Sequence, residues 1–363
     1  MNEILKEFEH YVQTQQYDNA DSLIESLLQN SVIINLERRE ALTFLYRIGY
    51  VYPETTLKLC NQRNDIPRPF KDTLRMASGD TPSLRLYSHA DTLVSIKTAL
   101  MRHKPWLAKI FVYRFYRQYG LQPISLVKYN KLTIGNNHKK LKKIKNNQTV
   151  SIIVTTYNSA KFVENCIDSL LNQTANNIEV IVVDDASTDN TVEIIKKYPT
   201  IKLIELNKNN GTYYARNVGI SQSSGQFVTF QDSDDWSHPE RVSIQLQDLL
   251  QNSNTVANFS NFFRVEEKTG LPSCRQNYPL LRLNISSMMI RRDKLEEIGG
   301  FDDRYRIESD KRLLNALLLK YGKSSISYIK LPLAVGLLRN RSLTTAKDSG
   351  FNKYGYSPLR DLV

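Results

Sequence analysis

No apolar run in the sequence approaches the roughly 20 residues that a membrane-crossing helix needs, and the opening MNEILKEFEH is too charged for a signal peptide. Both absences predict a chain that stays in the cytosol. Cysteine is scarce: Cys60, Cys166 and Cys274 lie far apart without CxxC spacing, so neither a disulfide framework nor a zinc site is supported. His10, His89, His103, His138 and His238 are equally scattered, which argues against a histidine-rich metal site. Glycine-rich phosphate loops are missing as well. No G-x-G-x-x-G follows the first expected strand and no G-x-x-x-x-G-K-[ST] occurs, which removes most support for dehydrogenase and P-loop chemistry. The same gap counts against a sugar nucleotidyltransferase, which would carry a glycine-rich basic loop there. With 363 residues, 41% of them hydrophobic and 24% charged, the chain can bury two or three globular cores and has no bias toward disorder.

Negative charge is absent from one long stretch. Between Asp91 and Glu164 no acid occurs, while Lys97, Arg102, Lys104, Lys109, Arg114, Arg117, Lys128, Lys131, Lys139, Lys140, Lys142, Lys143, Lys145 and Lys161 supply fourteen cations. This one region accounts for the net charge of +12. In KPWLAKIFVYRFYRQYG, residues 104–120, aromatic and basic residues interleave. That pattern suits a packed helix with Lys and Arg stems reaching solvent, or an interfacial helix on an anionic membrane. A peripheral membrane contact through 97–145 is therefore one expectation, and nucleic acid is not expected, because no recognition motif accompanies the charge. NNHKKLKKIKNNQ, residues 136–148, reads as an exposed linker.

The first 91 residues read as a helical domain. Ile4, Leu5, Phe8, Tyr11 and Val12 recur at helical spacing, and Leu23, Ile24, Leu27 and Leu28 start a second stripe. Further helices are expected in ERREALTFLYRIGY and PETTLKLCNQ. Paired helices of this kind resemble a tetratricopeptide scaffold, but no 34-residue repeat is present, so a helical bundle is expected instead. Residues 92–148 form a basic, aromatic-rich connecting region. At Val150 the texture changes to strands alternating with helices: VSIIVTTY, AKFVENCIDSLLNQ, IEVIVVDDAS, DNTVEIIKKY, IKLIEL, TYYARNVGISQ and QFVTFQD. Such alternation predicts a mostly parallel sheet covered on both faces, with ligands at the carboxyl ends of the strands.

Those ends carry polar residues. The first strand ends in Thr155, Thr156, Tyr157 and Asn158, the second in Asp184 and Asp185, and the fourth in Asp232, Asp234 and Asp235. Three carboxylates this close repel one another and persist most easily beside cations; carboxylate oxygens are the hard ligands that Mg²⁺ and Mn²⁺ prefer, often shared with substrate phosphates. The alternative is an acidic turn before a helix in SHPERVSIQLQDLL, with Pro239 at its first position and Ser237 or His238 as its cap. Capping explains one or two polar residues rather than three spaced acids.

Five segments in order, SIIVTTYNSAKFVENCIDSLLNQT, EVIVVDDASTDNT, NNGTYYARNVGI, GQFVTFQDSDDWSHPERVSIQ and GGFDD, resemble family 2 glycosyltransferases of the GT-A fold over about 150–325. The resemblance implies an α/β GT-A nucleotide-diphospho-sugar transferase domain at 149–330 after a smaller all-helical domain, with a C-terminal extension, 331–363, over the active site. It also implies a nucleotide-sugar donor, with a UDP-sugar expected, a divalent metal (Mn²⁺ or Mg²⁺), a saccharide or lipid-linked acceptor, and transfer with inversion. Such enzymes often build bacterial surface or capsule polysaccharide. By the same resemblance Thr155, Tyr157 and Asp185 surround the donor base with Asp184 beside them. Asp232 faces the ribose and Asp234 the metal, and Asp235 is a further ligand or a helix-start acid. Arg216 and Asn217 match a segment near the nucleotide, although Arg216 also suits a surface pair with an acid.

An inverting transfer needs a base across the cleft to take the acceptor proton. The matching stretch, YRIESDKRLLNALLLKYG, departs from the family's Glu-Asp pair because Ser309 separates Glu308 from Asp310. Asp310 stands twelve residues before Gly322 and is the expected base, with Glu308 the alternative. Arg339 and Arg341, with Ser342 and Thr344, would close over the diphosphate or belong to a solvated loop. Ser309 also keeps open a non-catalytic scaffold with a degenerate nucleotide- or sugar-binding domain.

Overall fold

Short amphipathic helices open the chain because each has one apolar stripe and none can bury it alone. In the computed structural model, which describes residues 3–14, 16–29, 36–49, 51–124, 126–128, 131–132, 147–273 and 280–339, helices α1 (Glu3–Gln13), α2 (Tyr17–Gln29), α3 (Arg38–Ile48), α4 (Pro53–Asn61) and α5 (Arg68–Ala77) share one core. Phe8, Ile24, Phe44, Leu45, Leu59 and Phe70 meet there. The expected linker lies outside the described residues except for 147–148, as do Arg341, Ser342 and Thr344.

The region expected to connect two domains contributes two helices to the core of the second. Every residue of α6 (Thr92–Met101) from Thr92 to Leu100 is buried, and α7 (Pro105–Gln118) buries Ala108, Phe111, Val112, Phe115 and Tyr116. Their partners are Trp236, Phe263, Leu333 and Val335 of the sheet. Lys97 is buried with them and pairs with Glu266 at 3.7 Å. A short antiparallel pair, β1 (Val127–Lys128) and β2 (Lys131–Leu132), follows.

The sheet comprises β3 (Val150–Thr156), β4 (Ile178–Asp184), β5 (Lys202–Glu205), β6 (Phe227–Asp232), β7 (Trp236–Ser237), β8 (Ala257–Glu266), β9 (Arg282–Arg291) and β10 (Ile326–Leu338) in the order β5-β4-β3-β6-β9-β8-β10-β7. The first four in that order are parallel, as the alternating pattern predicts; β9 runs antiparallel to both neighbours and β7 antiparallel to β10. Helices α8 (Val163–Leu171), α9 (Thr191–Ile195), α10 (Thr212–Ser221), α11 (Arg241–Gln251), α12 (Arg292–Ile298) and α13 (Ser309–Tyr321) complete the fold. Two boundaries differ from the sequence reading. β10 continues through 331 to 338, its pairing with β8 shifting around Pro332, which cannot donate to the ladder. Helix α11 starts at Arg241 rather than near Pro239, with Glu240 at its cap position, because Trp236 and Ser237 stay extended to pair with Val335 and Ala334. None of the three aspartates therefore caps α11.

Register places the chemistry. Thr156 pairs with Asp184 across β3 and β4, and Thr155 with Asp232 across β3 and β6, so three strands end level at one edge. Helix α10 lies over this edge, and Gly219 is where it touches the sheet. A Cβ there would stand 2.5 Å from Ile153 Cγ2 and 3.3 Å from Val183 Cγ2. Gly219→Ala, a change that usually favours a helix, is expected instead to destabilise the protein by about 1–3 kcal/mol, since Ile153 is β-branched and buried. Urea unfolding checks the sign.

Candidate functional site

Each acid of FVTFQDSDDW has a different partner. Asp232 Oδ1 accepts from Arg216 Nη2 at 2.7 Å, Asp234 Oδ2 lies 2.6 Å from Arg339 Nε, and Asp235 Oδ1 accepts from the Leu337 backbone N–H at 3.1 Å. The last contact continues the β7–β10 pairing by one side-chain bond. Asp235 is partly buried, and desolvation, then Asp234 and Asp232, push its carboxyl well above the ordinary range, with Arg264 opposing. Burial also raises Asp234, with Asp232 adding to the rise and Arg339 opposing it.

Arg216 sits inside the protein, 3% exposed, and not in a surface pair. Its guanidinium carbon lies 5.5 Å from the Tyr213 ring centroid, 5.6 Å from Phe230 and 5.3 Å from Phe301. This aromatic cage stabilises the cation and aims it at Asp232. The neighbouring Asn217 explains the GGFD turn: its amide donates to Phe301 O at 2.8 Å and its carbonyl accepts from Phe301 N at 2.9 Å. Gly299 and Gly300 have φ of 87° and 79°, and a Cβ on Gly300 would come within 2.7 Å of Asn217 Oδ1. Two glycines therefore let the turn close on Asn217, which sets Phe301 over Arg216. Asn217 acts here on the backbone of the turn.

The cage leads to the expected base. The Tyr213 hydroxyl donates to Asp310 Oδ1 at 3.3 Å, and its ring stacks on Phe301 at 5.5 Å. Burial and the nearby Asp310 push the Tyr213 phenol upward. Asp310 lies in the first turn of α13, where the helix dipole favours a carboxylate. Ser309 turns inward, fully buried, and so leaves Glu308 and Asp310 on either side of it. Glu308 is turned away to Lys311, 2.6 Å distant.

At the other strand ends, Thr155 Oγ1 meets Thr212 Oγ1 at 2.8 Å, and Tyr157 is exposed. Asp184 accepts from the backbone and hydroxyl of Ser187. Asp185 accepts from the N–H groups of Asn210 and Gly211, both at 2.8 Å, and so ties β4 to the loop before α10. Asn158, Ala186 and Glu308 hold φ of 48°, 63° and 64°. Three non-glycine residues in the left-handed region at one edge mark a site where the backbone is held against local preference. Sequence inspection missed this, since nothing about Ala186 signals it. Arg339, the cation on Asp234, also lies over the Phe162 ring at 5.0 Å.

Among the described residues no three His, Cys, Asp or Glu side chains converge as a ready cation cage. The donor chemistry nevertheless fits a hard divalent cation: Asp234 and Asp232 are neighbouring carboxylates, Asp234 raised by burial and further by Asp232, and Mg²⁺ or Mn²⁺ commonly takes one or two such ligands and fills the rest from phosphate and water. Asp235 has one oxygen committed to Leu337.

The raised Asp235 carboxyl generates a pH-dependent prediction. Its folded carboxyl holds a proton more tightly than in the unfolded chain, so its contribution to stability is present in acid and is lost as pH rises from the unfolded value of about 3.9 through the raised one. Asn keeps the acceptor for Leu337 and is neutral throughout. In metal-free buffer, Asp235→Asn is expected to raise the melting midpoint at pH 8 and to have little effect at pH 4. A gain no larger at pH 8 than at pH 4 contradicts this.

Residues 151–307 match the family described as glycosyl transferase family 2. The chain is 40% identical over 107 residues to an uncharacterized glycosyltransferase of Haemophilus influenzae, covering 28% of this chain and 43% of that protein. It is 34% identical over 125 residues to glycosyltransferase GlyA of Streptococcus pneumoniae, covering 34% and 18%. With chondroitin synthase of Pasteurella multocida it shares 32% identity over 134 residues, covering 36% and 14%. It thus spans less than half the length of these curated relatives. The crystal structure of Staphylococcus aureus TarS in complex with UDP aligns over 53% of this chain and 61% of its own, with 26% identity and a TM-score of 0.44.

Proposed function

On the premise that residues 151–307 form a glycosyl transferase family 2 domain of GT-A type, we propose that this protein is a metal-dependent, inverting glycosyltransferase. It moves a sugar from a nucleotide-diphosphate donor, a UDP-sugar by preference, to a saccharide or lipid-linked acceptor in bacterial surface polysaccharide synthesis. The observation that carries the reading is the common edge of β3, β4 and β6, where Thr155, Asp184, Asp185 and Asp232 end level and Asp310 is joined to Asp232 through Tyr213 and Arg216. The similarity to chondroitin synthase supports a saccharide acceptor.

In this mechanism Thr155, Tyr157 and Asp185 hold the base of the donor and Asp232 its ribose, with Asp184 bracing the loop beside them. Asp234, with Asp232 and Asp235 adjoining, would hold a divalent cation, which would supply neutralising charge for the departing diphosphate. Arg339, paired with Asp234, would help neutralise a diphosphate bound beside that carboxylate. Asp310 accepts the proton of the acceptor hydroxyl as that oxygen attacks the anomeric carbon from the opposite face. Tyr213 holds Asp310 in place, and Glu308 serves at the helix start. The acceptor is met at the inner face of the membrane through the basic region expected at 97–145, of which Lys97 takes no part because it is buried against Glu266.

Asp310→Asn is expected to reduce turnover about 10²–10⁴-fold while calorimetric binding of UDP with Mn²⁺ is retained; a wild-type rate would reject the base. Asp234→Ala is expected to abolish Mn²⁺-dependent UDP binding and transfer. Transfer that survives both EDTA and Asp234→Ala would sink the metal role. Binding without turnover by the wild-type chain, across a panel of nucleotide sugars, would mean a scaffold and not an enzyme.

A further inference from the structure

We propose that the outward face of α7 is the surface that lays this protein on an anionic lipid bilayer, with Trp106, Ile110 and Tyr113 entering the interface. The inference rests on the membrane part of the proposed function and names the element that performs it. Trp106, Ile110, Tyr113 and Arg117 succeed one another at intervals of four, three and four residues, so they share one helical face. The first three are 61%, 53% and 57% exposed. Single exposed apolar residues are ordinary, but three aligned on one face form a patch.

The opposite face of the same helix is locked in the core through Ala108, Phe111, Val112, Phe115 and Tyr116. The stripe is therefore presented by a rigid element. Lys109 and Arg114 are exposed on either side of it, Lys104 precedes it, and no acid occurs anywhere from 92 to 163. An apolar stripe with Trp and Tyr, bordered by cations, is complementary to a headgroup layer: the rings sit at the acyl boundary and the cations meet anionic phosphates. At 14 residues the helix is too short to cross a bilayer and suited to lying in its plane. A second copy is a poor occupant, because pairing α7 with itself would bring Lys109, Arg114 and Arg117 against their own images.

The test uses the full chain and sedimentation with phosphatidylcholine vesicles, with or without phosphatidylglycerol, at physiological ionic strength. Wild type is expected to bind the phosphatidylglycerol vesicles. W106S/I110S/Y113S is expected to lower the partition coefficient about tenfold or more, and K109Q/R114Q/R117Q to lose the preference for phosphatidylglycerol. Both are expected to keep the wild-type melting midpoint, since none of the six side chains is in the core. Wild-type protein that stays in the supernatant overturns the membrane reading together with this inference. Wild-type binding that both variants retain overturns the assignment to α7 alone. Self-association that the serine variant abolishes, without vesicle binding, makes the face a protein interface and overturns the proposal.

Discussion

Repulsion among Asp232, Asp234 and Asp235 is the constraint on which the rest of the site depends. A strand that delivers three carboxylates to one sheet edge in four residues is stable only if each is given separate compensation. The fold provides it by divergence: Asp232 turns to Arg216 on α10, Asp234 to Arg339 beyond β10, and Asp235 to the backbone of β10. The Asp234 and Asp235 contacts reach the end of β10, about a hundred residues on, while the Asp232 contact reaches back 16 residues to α10, so the acids tie β6 to both of its flanks.

The Arg216 cage extends that constraint into the opposite wall. A buried guanidinium is costly unless it is paired and its faces are covered. Phe301 covers one of them only because Asn217 fastens both the N–H and the carbonyl of that residue, and Asn217 reaches them only because Gly300 has no Cβ. The GGFD turn and the Arg-Asn pair are one device: they hold Asp232 and, through Tyr213, Asp310 in a fixed relation. In the proposed transfer, a base and a leaving-group site held in this way would need little reorganisation as charge moves between them.

Helices α6 and α7 bear on the same edge from the other side. They bury Trp236, which directly follows Asp235, against Phe263 and Val335. Residues 92–118 and the acidic edge are thus linked by packing, and a membrane contact on the outer face of α7 would be rigidly related to the cleft.

From sequence alone, the period of apolar residues determined the helices α1 to α4 and the strands β3 to β6, because alternating buried strands and striped helices have few other solutions. It also determined the edge on which the acids lie, since strand ends follow from strand extents. Family likeness added the roles proposed for Asp232, Asp234 and Asp310. The antiparallel strands β8 and β9, the extension of β10 past 330 and the late start of α11 were not legible, as each is set by pairing with a distant strand. The burial of Arg216 and the left-handed backbone at Ala186 depend on surroundings that no local pattern encodes. Tertiary structure alone decided which cation meets which acid, because electrostatic pairing follows distance in space, and the partners of Asp232, Asp234 and Asp235 come from two separate segments of the chain, α10 and the end of β10.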